Sequence, residues 1–225
     1  MREIIFRIYY RLTLKRIVKK LSMKSSHHIF DEPSKISEWS SLLKQTIDED
    51  TIYMEKTPKY AVDMYCGTFS KHINYYLCTG GLLRPIPDLD EVLKRDIKLL
   101  DIVMKDNILQ ENILATRWIE AQYIETTIGC SLTDIKEKDI YIDKGYSSTS
   151  LWISYIGQYE EQVRKPSTHV LFLIKIPTGI HGIYMEDINP RAEYEFLLEK
   201  GLKFFVEKIY RLLNRPSIII CRVIK

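Results

Sequence analysis

A chain of 225 residues with 45% hydrophobic and 28% charged side chains can bury a core of its own and is too apolar for intrinsic disorder. No apolar run approaches the roughly 20 residues that cross a bilayer as a helix. The formal charge of +3 hides an asymmetry: residues 1–24 hold eight bases against Glu3 alone, a formal +7 that leaves −4 for residues 25–225, where a nucleic-acid binder would spread a basic stripe through its fold.

In chain order, Ile4–Leu12 opens with apolar residues, but Arg7 and Arg11 interrupt it, and no small-residue cleavage site follows. An ordinary secretory signal is therefore not expected. Ile5, Ile8 and Leu12 recur at helical spacing with bases between them. The simplest reading is a helix whose apolar stripe packs on the rest of the fold. A membrane surface or an acidic partner is the alternative for residues 1–24. Residues 1–30 thus form a basic segment set apart from residues 31–225. The His27–His28 pair belongs to no ligand pattern and is expected to be exposed. Asp31–Ser37, with Pro33, reads as a loop.

Trp39, Leu42, Leu43 and Ile47 predict a helix over Ser37–Ile47. Tyr60–Leu77 is a second helical stretch, stopped by Gly80 and Gly81, and Pro85 and Pro87 enforce a loop. Asp88–Lys105 is the clearest helix: Leu89, Val92, Leu93, Ile97, Leu100 and Val103 make one face, with Asp88 or Asp90 as the cap. Beyond Asn107 the period shortens. Strands are predicted over Asn112–Ile119, Ile140–Ile142, Tyr146–Trp152, Val170–Ile176, Gly182–Met185, Phe196–Leu198, Phe204–Ile209 and Ser217–Val223. Helices followed by many short strands indicate an α+β fold. No GxGxxG or GxxxxGK[ST] phosphate loop occurs. Cys66, Cys78, Cys130 and Cys221 form no CxxC pair and no zinc spacing, and read as free, mostly buried thiols.

Three strand segments carry polar residues where a core would be apolar. They are Arg117, Ser147–Ser150, and Glu193 with Glu195 just before Phe196–Leu198. Residues two apart on a strand face one side, so Ser148 pairs with Ser150 and Glu193 with Glu195. A base, two hydroxyls and two carboxylates on neighbouring strands would line a polar cleft. The carboxylates repel and need cationic or hydroxyl partners to stay ionised.

The order Arg, STS, ExE resembles the R-S-E class of mono-ADP-ribosyltransferases, of bacterial toxin or phage type. Phe69–Leu77 (FSKHINYYL) looks like that family's helix ending in IN-x-YL. Leu99–Arg117 looks like its LD…ILxxNI…R stretch. Gly145–Leu151 (GYSSTSL) matches GFxSTSL, and Lys175–Tyr184 looks like xVPxGxxGxY. Ala192–Phe204 (AEYEFLLEKGLKF) follows xExEFLLxxGxxF. The resemblance covers roughly residues 60–225.

What the resemblance implies is a catalytic domain over 31–225. Its fold would be N-terminal helices followed by two packed, mainly antiparallel sheets forming an NAD cleft. NAD would be the co-substrate and no metal would be needed. Arg117 would grip the pyrophosphate or its ribose as a planar fork. Ser148 would brace the catalytic glutamate, and Thr149 and Ser150 would support the strand and nicotinamide pocket. Glu195 would hydrogen-bond the nicotinamide-ribose 2′-OH and stabilise the oxocarbenium-like state as nicotinamide leaves. Glu193 would orient the acceptor; a Glu there goes with arginine in this family, so the partner would be a target protein bearing an acceptor arginine. Glu186–Arg191 would be the substrate-recognition turn, and Tyr184 would stack on cofactor or substrate. Trp118 stands where the family usually has Gly, and Cys78 where it often has Arg, so that a supporting phosphate contact would either be missing or come from Arg84. NAD glycohydrolysis, a non-catalytic NAD- or protein-binding module, and a nucleic-acid acceptor are the alternatives. The first two would leave no label on a macromolecule, and the −4 charge weighs against the third. Secreted toxin, injected effector and phage-encoded modifier are all compatible with the sequence.

Overall fold

The computed structural model describes residues 2–43, 45, 47, 57–82, 84, 86–128, 131–153, 169–189, 193–212 and 215–224. The described residues form six α-helices and eight strands, helices leading and strands following: α1 (Arg2–Lys24), α2 (Pro33–Ser41), α3 (Pro58–Met64), α4 (Ser70–Thr79), α5 (Pro87–Asp106), β1 (Ile113–Glu120), α6 (Ala121–Ile128), β2 (Ile140–Asp143), β3 (Ser147–Ser150), β4 (His169–Ile176), β5 (Gly182–Tyr184), β6 (Glu195–Leu198), β7 (Leu202–Leu212) and β8 (Arg215–Ile224).

The helix boundaries are set by prolines and glycines. Pro33 occupies the first turn of α2, so the segment expected to be a loop is the helix start; proline's missing N–H costs nothing there. The stretch expected as one helix over Tyr60–Leu77 is two. Thr57 caps α3 by accepting from the Tyr60 amide at 3.0 Å. A π-turn over Tyr65–Phe69 then breaks the run at Gly67, whose ψ of −124° is outside the helical region. Gly80, at φ +78°, ends α4 in the left-handed conformation that glycine adopts without penalty. Pro87 begins α5 rather than extending the loop, and neither Asp88 nor Asp90 is its cap. They stand in the first turn, where a carboxylate meets the positive end of the helix dipole. α6 lies between β1 and β2, in a stretch for which the sequence pattern predicts no element.

The strands hydrogen-bond in the order β2-β7-β8-β4-β1-β3-β6-β5. Among the described strands only the β4–β8 pair is parallel. The two expected sheets are present as a five-strand half, β2-β7-β8-β4-β1, and a three-strand half, β3-β6-β5. They join into one sheet through a single Cα pair, Thr116 with Ser150. Beyond that pair β1 follows β4 along its whole length while β3 follows β6, and a wedge opens between them.

Three cores hold this frame. Phe30, Ile36 and Trp39 pack with Phe172, Tyr184, Phe196 and Phe204 on one side of the sheet. Helices α3, α4 and α5 and the π-turn bury Val62, Tyr65, Ile73, Leu93 and Leu100 against Tyr146, Ile183 and Leu197. α1 buries Tyr10, Leu14 and Ile17 against Leu171, Leu173, Ile218 and Ile220. The packing stripe of α1 is therefore not the expected one: Ile8 and Leu12 are exposed. Trp118, the departure from the family pattern, stacks on Tyr10 at 5.8 Å between ring centroids, so its bulk is taken up by α1. Cys66, Cys78 and Cys221 are free thiols; Cys130 lies outside the described residues. His28 is exposed and 3.3 Å from Glu111, while His27 is half-buried. No described helix is long and apolar enough to cross a membrane.

Candidate active site

The wedge is built from the polar segments of three strands. Thr116, Arg117 and Trp118 of β1, Ser148, Thr149 and Ser150 of β3, and Glu193 and Glu195 line a cavity of 310 Å³. A larger cleft of 540 Å³ shares Ser148, Glu193 and Glu195 with it, and is walled by Tyr65, Lys71, Asn74, Tyr75, Cys78 and Tyr123 among others. Six of the seven expected site residues therefore converge.

Their placement follows from register. On β3, Ser147 and Thr149 are buried and Ser148 and Ser150 half-exposed, the alternation expected of a strand. Ser150 lies opposite Glu195 and Ser148 opposite Leu197, so the two hydroxyls flank Glu195 on one face. The hydroxyls lock the strand pair: Thr149 Oγ1 donates to the Phe196 carbonyl at 2.6 Å, and Ser150 Oγ to the Glu193 carbonyl at 2.9 Å. Glu195 begins β6 and is buried, with 6% of its surface exposed.

Glu193 precedes the strand and reaches the same cleft by a turn. Tyr194 between them has φ of +51°, a left-handed conformation costly for a side-chain-bearing residue. Glu186 holds it there: its Oε1 accepts from the Glu193 amide at 2.7 Å and the Tyr194 amide at 2.8 Å. The turn expected to recognise the substrate is thus tied to the ExE segment through one carboxylate. Pro190 and Arg191 of that turn lie outside the described residues.

Arg117 is organised by a residue that sequence reasoning passed over. Asp143, at the end of β2, accepts from the Arg117 guanidinium at 2.5 Å and the Ser147 hydroxyl at 2.7 Å through Oδ2. Its Oδ1 accepts from Tyr123 at 3.0 Å and the Gly145 amide at 3.1 Å. Arg117 also donates to Ser147 at 2.8 Å and lies 5.6 Å over the Tyr123 ring. Burial disfavours the Arg117 charge, but Asp143 and the Tyr123 oxygen more than offset it, and the guanidinium titrates above its ordinary range. The available signal was Asp143 itself, a carboxylate two residues before the glycine of GYSSTS.

Asn74, within the IN-x-YL motif, fixes the entry to β3. Its side chain accepts from the Tyr146 amide at 2.9 Å and donates to the Tyr146 carbonyl and the Tyr65 hydroxyl. A Cβ at Gly145 would stand 2.6 Å from the Asn74 carboxamide oxygen, which explains the glycine. Tyr65, in the cleft wall, has its phenol pushed up by burial and then by the Glu195 charge.

Two expectations are corrected. Tyr184 does not line either cavity; it is 2% exposed and sits edge-on to Trp39 at 6.4 Å. Strand β5 is buried throughout, and its backbone edge is capped by Gln45, which accepts from the Tyr184 amide at 2.6 Å. Arg84 is exposed and absent from the cleft lining; Lys71 lines the cleft, and Lys144 donates to the Cys78 carbonyl at 3.4 Å. Among the described residues no group of three or more His, Cys, Asp or Glu side chains could hold a metal ion.

Solved structures share this architecture. Plx2a, an ADP-ribosyltransferase toxin from Paenibacillus larvae, superposes with a TM-score of 0.61 at 21% identity, over 85% of this chain and 96% of that one. The Clostridium limosum C3 exoenzyme gives 0.64 at 19% identity over 89% and 98%. C3stau2 from S. aureus, solved with NAD, gives 0.65 at 18% identity over 89% and 100%. At these identities the likeness establishes the fold. No curated protein matches the sequence. The sequence model described as ADP-ribosyltransferase exoenzyme, however, matches residues 13–221, nearly the whole chain including all the residues of the wedge, and the chain therefore belongs to the ADP-ribosyltransferase exoenzyme family.

Proposed function

We propose that this ADP-ribosyltransferase transfers ADP-ribose from NAD to an arginine of a target protein, with Arg117, Ser148, Glu193 and Glu195 as its working residues. The observation that carries the reading is that Glu193 and Glu195 line the same two cavities, beside Ser148. The residues fit NAD by chemistry. Tyr65, Tyr75 and Tyr123 offer aromatic walls to its rings. Lys71 and Arg117 offer cations to its phosphates. Glu195, buried between hydroxyls, is suited to accept a hydrogen bond from a ribose hydroxyl and to stabilise positive charge as nicotinamide leaves. Thr149 and Ser150 act through the backbone, holding Phe196 and Glu193 in place. Glu193, on the turn and half-exposed, would hold a guanidinium, which stays protonated in water, and take its proton as the new bond forms.

The test is to incubate the protein with labelled NAD and a mixed cell lysate, in wild-type, Glu195→Ala and Glu193→Ala forms. We expect label on protein, mapped to arginine by mass spectrometry, and none with Glu195→Ala. Glu193→Ala should still release nicotinamide while labelling is lost. Labelling that survives Glu193→Ala would remove the arginine assignment. Nicotinamide release without label on any macromolecule would replace transfer by hydrolysis.

A further inference from the structure

The face of α1 that points away from the sheet has no role in the site. At 100° per residue, Tyr10, Leu14 and Ile17 mark the packed side. Ile8, Leu12, Lys19 and Met23 run along the opposite side, bordered by Arg11 and Lys15 on one flank and Arg16 and Lys20 on the other. Ile8, Tyr9, Leu12 and Met23 are 52–72% exposed, and all five bases are exposed. No acid occurs between Glu3 and Asp31. Apolar residues therefore stand on both faces of α1, and only one set is used by the fold.

From this pattern we infer that the outer face of α1 docks the enzyme on an anionic phospholipid surface. Bases next to an anionic leaflet are attracted to it, and large apolar side chains among them enter the headgroup boundary. The line from Ile8 to Met23 is about 22 Å long at 1.5 Å per residue, and a single convex helix suits a flat bilayer. An acidic protein would satisfy the bases but would need a groove of its own to cover Ile8, Leu12 and Met23. The bilayer accounts for both sets of side chains with one partner. This docking is independent of the acceptor and of turnover.

The experiment is flotation of the full chain with vesicles of phosphatidylcholine, with and without phosphatidylserine. Two surface variants accompany it, Ile8→Gln/Leu12→Gln and Lys15→Gln/Lys19→Gln. We expect binding to the phosphatidylserine vesicles alone. It should fall about 25-fold when two bases are removed, about fivefold for each, and fall also in the apolar variant. Circular dichroism and NAD cleavage should stay at wild-type level in both, since these side chains are exposed. Absence of binding to anionic vesicles overturns the proposal. So does binding that Ile8→Gln/Leu12→Gln leaves unchanged. Retention on immobilised polyglutamate without vesicle binding would assign the face to an acidic protein instead.

Discussion

The Arg117–Asp143 pair offers the sharpest test of how the site is held. Asp143 accepts from Arg117, Ser147, Tyr123 and the Gly145 amide. The Asp143 side chain is 3% exposed and that of Arg117 12%. Removing one partner of a buried pair strands the other charge, at about 3–5 kcal/mol. Asp143→Asn keeps the shape but presents donors of its own amide to two of the four donors it must face. In a chain of this size a loss of that order lowers Tm by roughly 6–20 °C. Arg117→Met should cost a similar amount, because the Asp143 carboxylate is then buried without its cation. The double variant Arg117→Met/Asp143→Asn should be less destabilised than the sum. With the cation gone, the new amide can donate to the Ser147 hydroxyl and accept from Tyr123 and Gly145. Urea unfolding followed by circular dichroism on all four proteins measures the coupling, which we expect at about 2 kcal/mol or more. Effects that add to within about 0.5 kcal/mol would refute the pairing as the organiser of the site.

Other perturbations probe separate links. Glu186→Ala removes the acceptor of two amides beside a left-handed Tyr194; NAD hydrolysis without an acceptor should persist while labelling of target protein falls at least tenfold, and equal loss of both would show that Glu186 does not act through Glu193. Gly182→Ala would place a Cβ 2.6 Å from the Phe196 ring and 2.8 Å from the Leu197 carbonyl, so stability should fall by about 1–3 kcal/mol, read by thermal unfolding. Cys78 lines the larger cleft, and its thiol is pushed up by burial and then by Asp143. Its alkylation by iodoacetamide should therefore keep rising with pH through the ordinary thiol range, since only the thiolate reacts, and NAD should slow it. The buried Cys221 thiol, pushed up further by burial, should stay unmodified in the folded protein; peptide mapping after alkylation distinguishes the two.

Much of the site was legible because its residues interrupt local patterns. Arg117, the STS run and the ExE pair stand out as polar residues at strand positions, and their order matches the pattern of the family whose model covers residues 13–221. The α5 face and most strands were legible for the same reason, as periodicity is a property of neighbours in the chain. Asp143 was not. On β2 the isoleucines Ile140 and Ile142 face outward while Tyr141 and Asp143 are buried, the reverse of what hydrophobicity alone predicts. The buried guanidinium of Arg117 has to be neutralised, and that requirement sets which face of β2 turns in. Tyr184 was misplaced because a tyrosine looks the same in sequence whether its ring meets a ligand or Trp39. The stripe of Ile8 and Leu12 was misread because α1 has two apolar faces, and spacing cannot say which one meets the sheet.

By itself, then, the sequence marked the polar residues that line the wedge, the order of most elements and the basic character of the first helix. All of these depend on residues close in the chain. Only the tertiary structure decided that β1 and β3 part after a single pair, that Asp143 and Ser147 hold Arg117, and that Glu186 pins the turn between the two glutamates. The first two join segments tens of residues apart and the third closes a turn of seven to eight residues; they are settled by strand register and by the need to partner buried charges, neither of which is written in any local pattern.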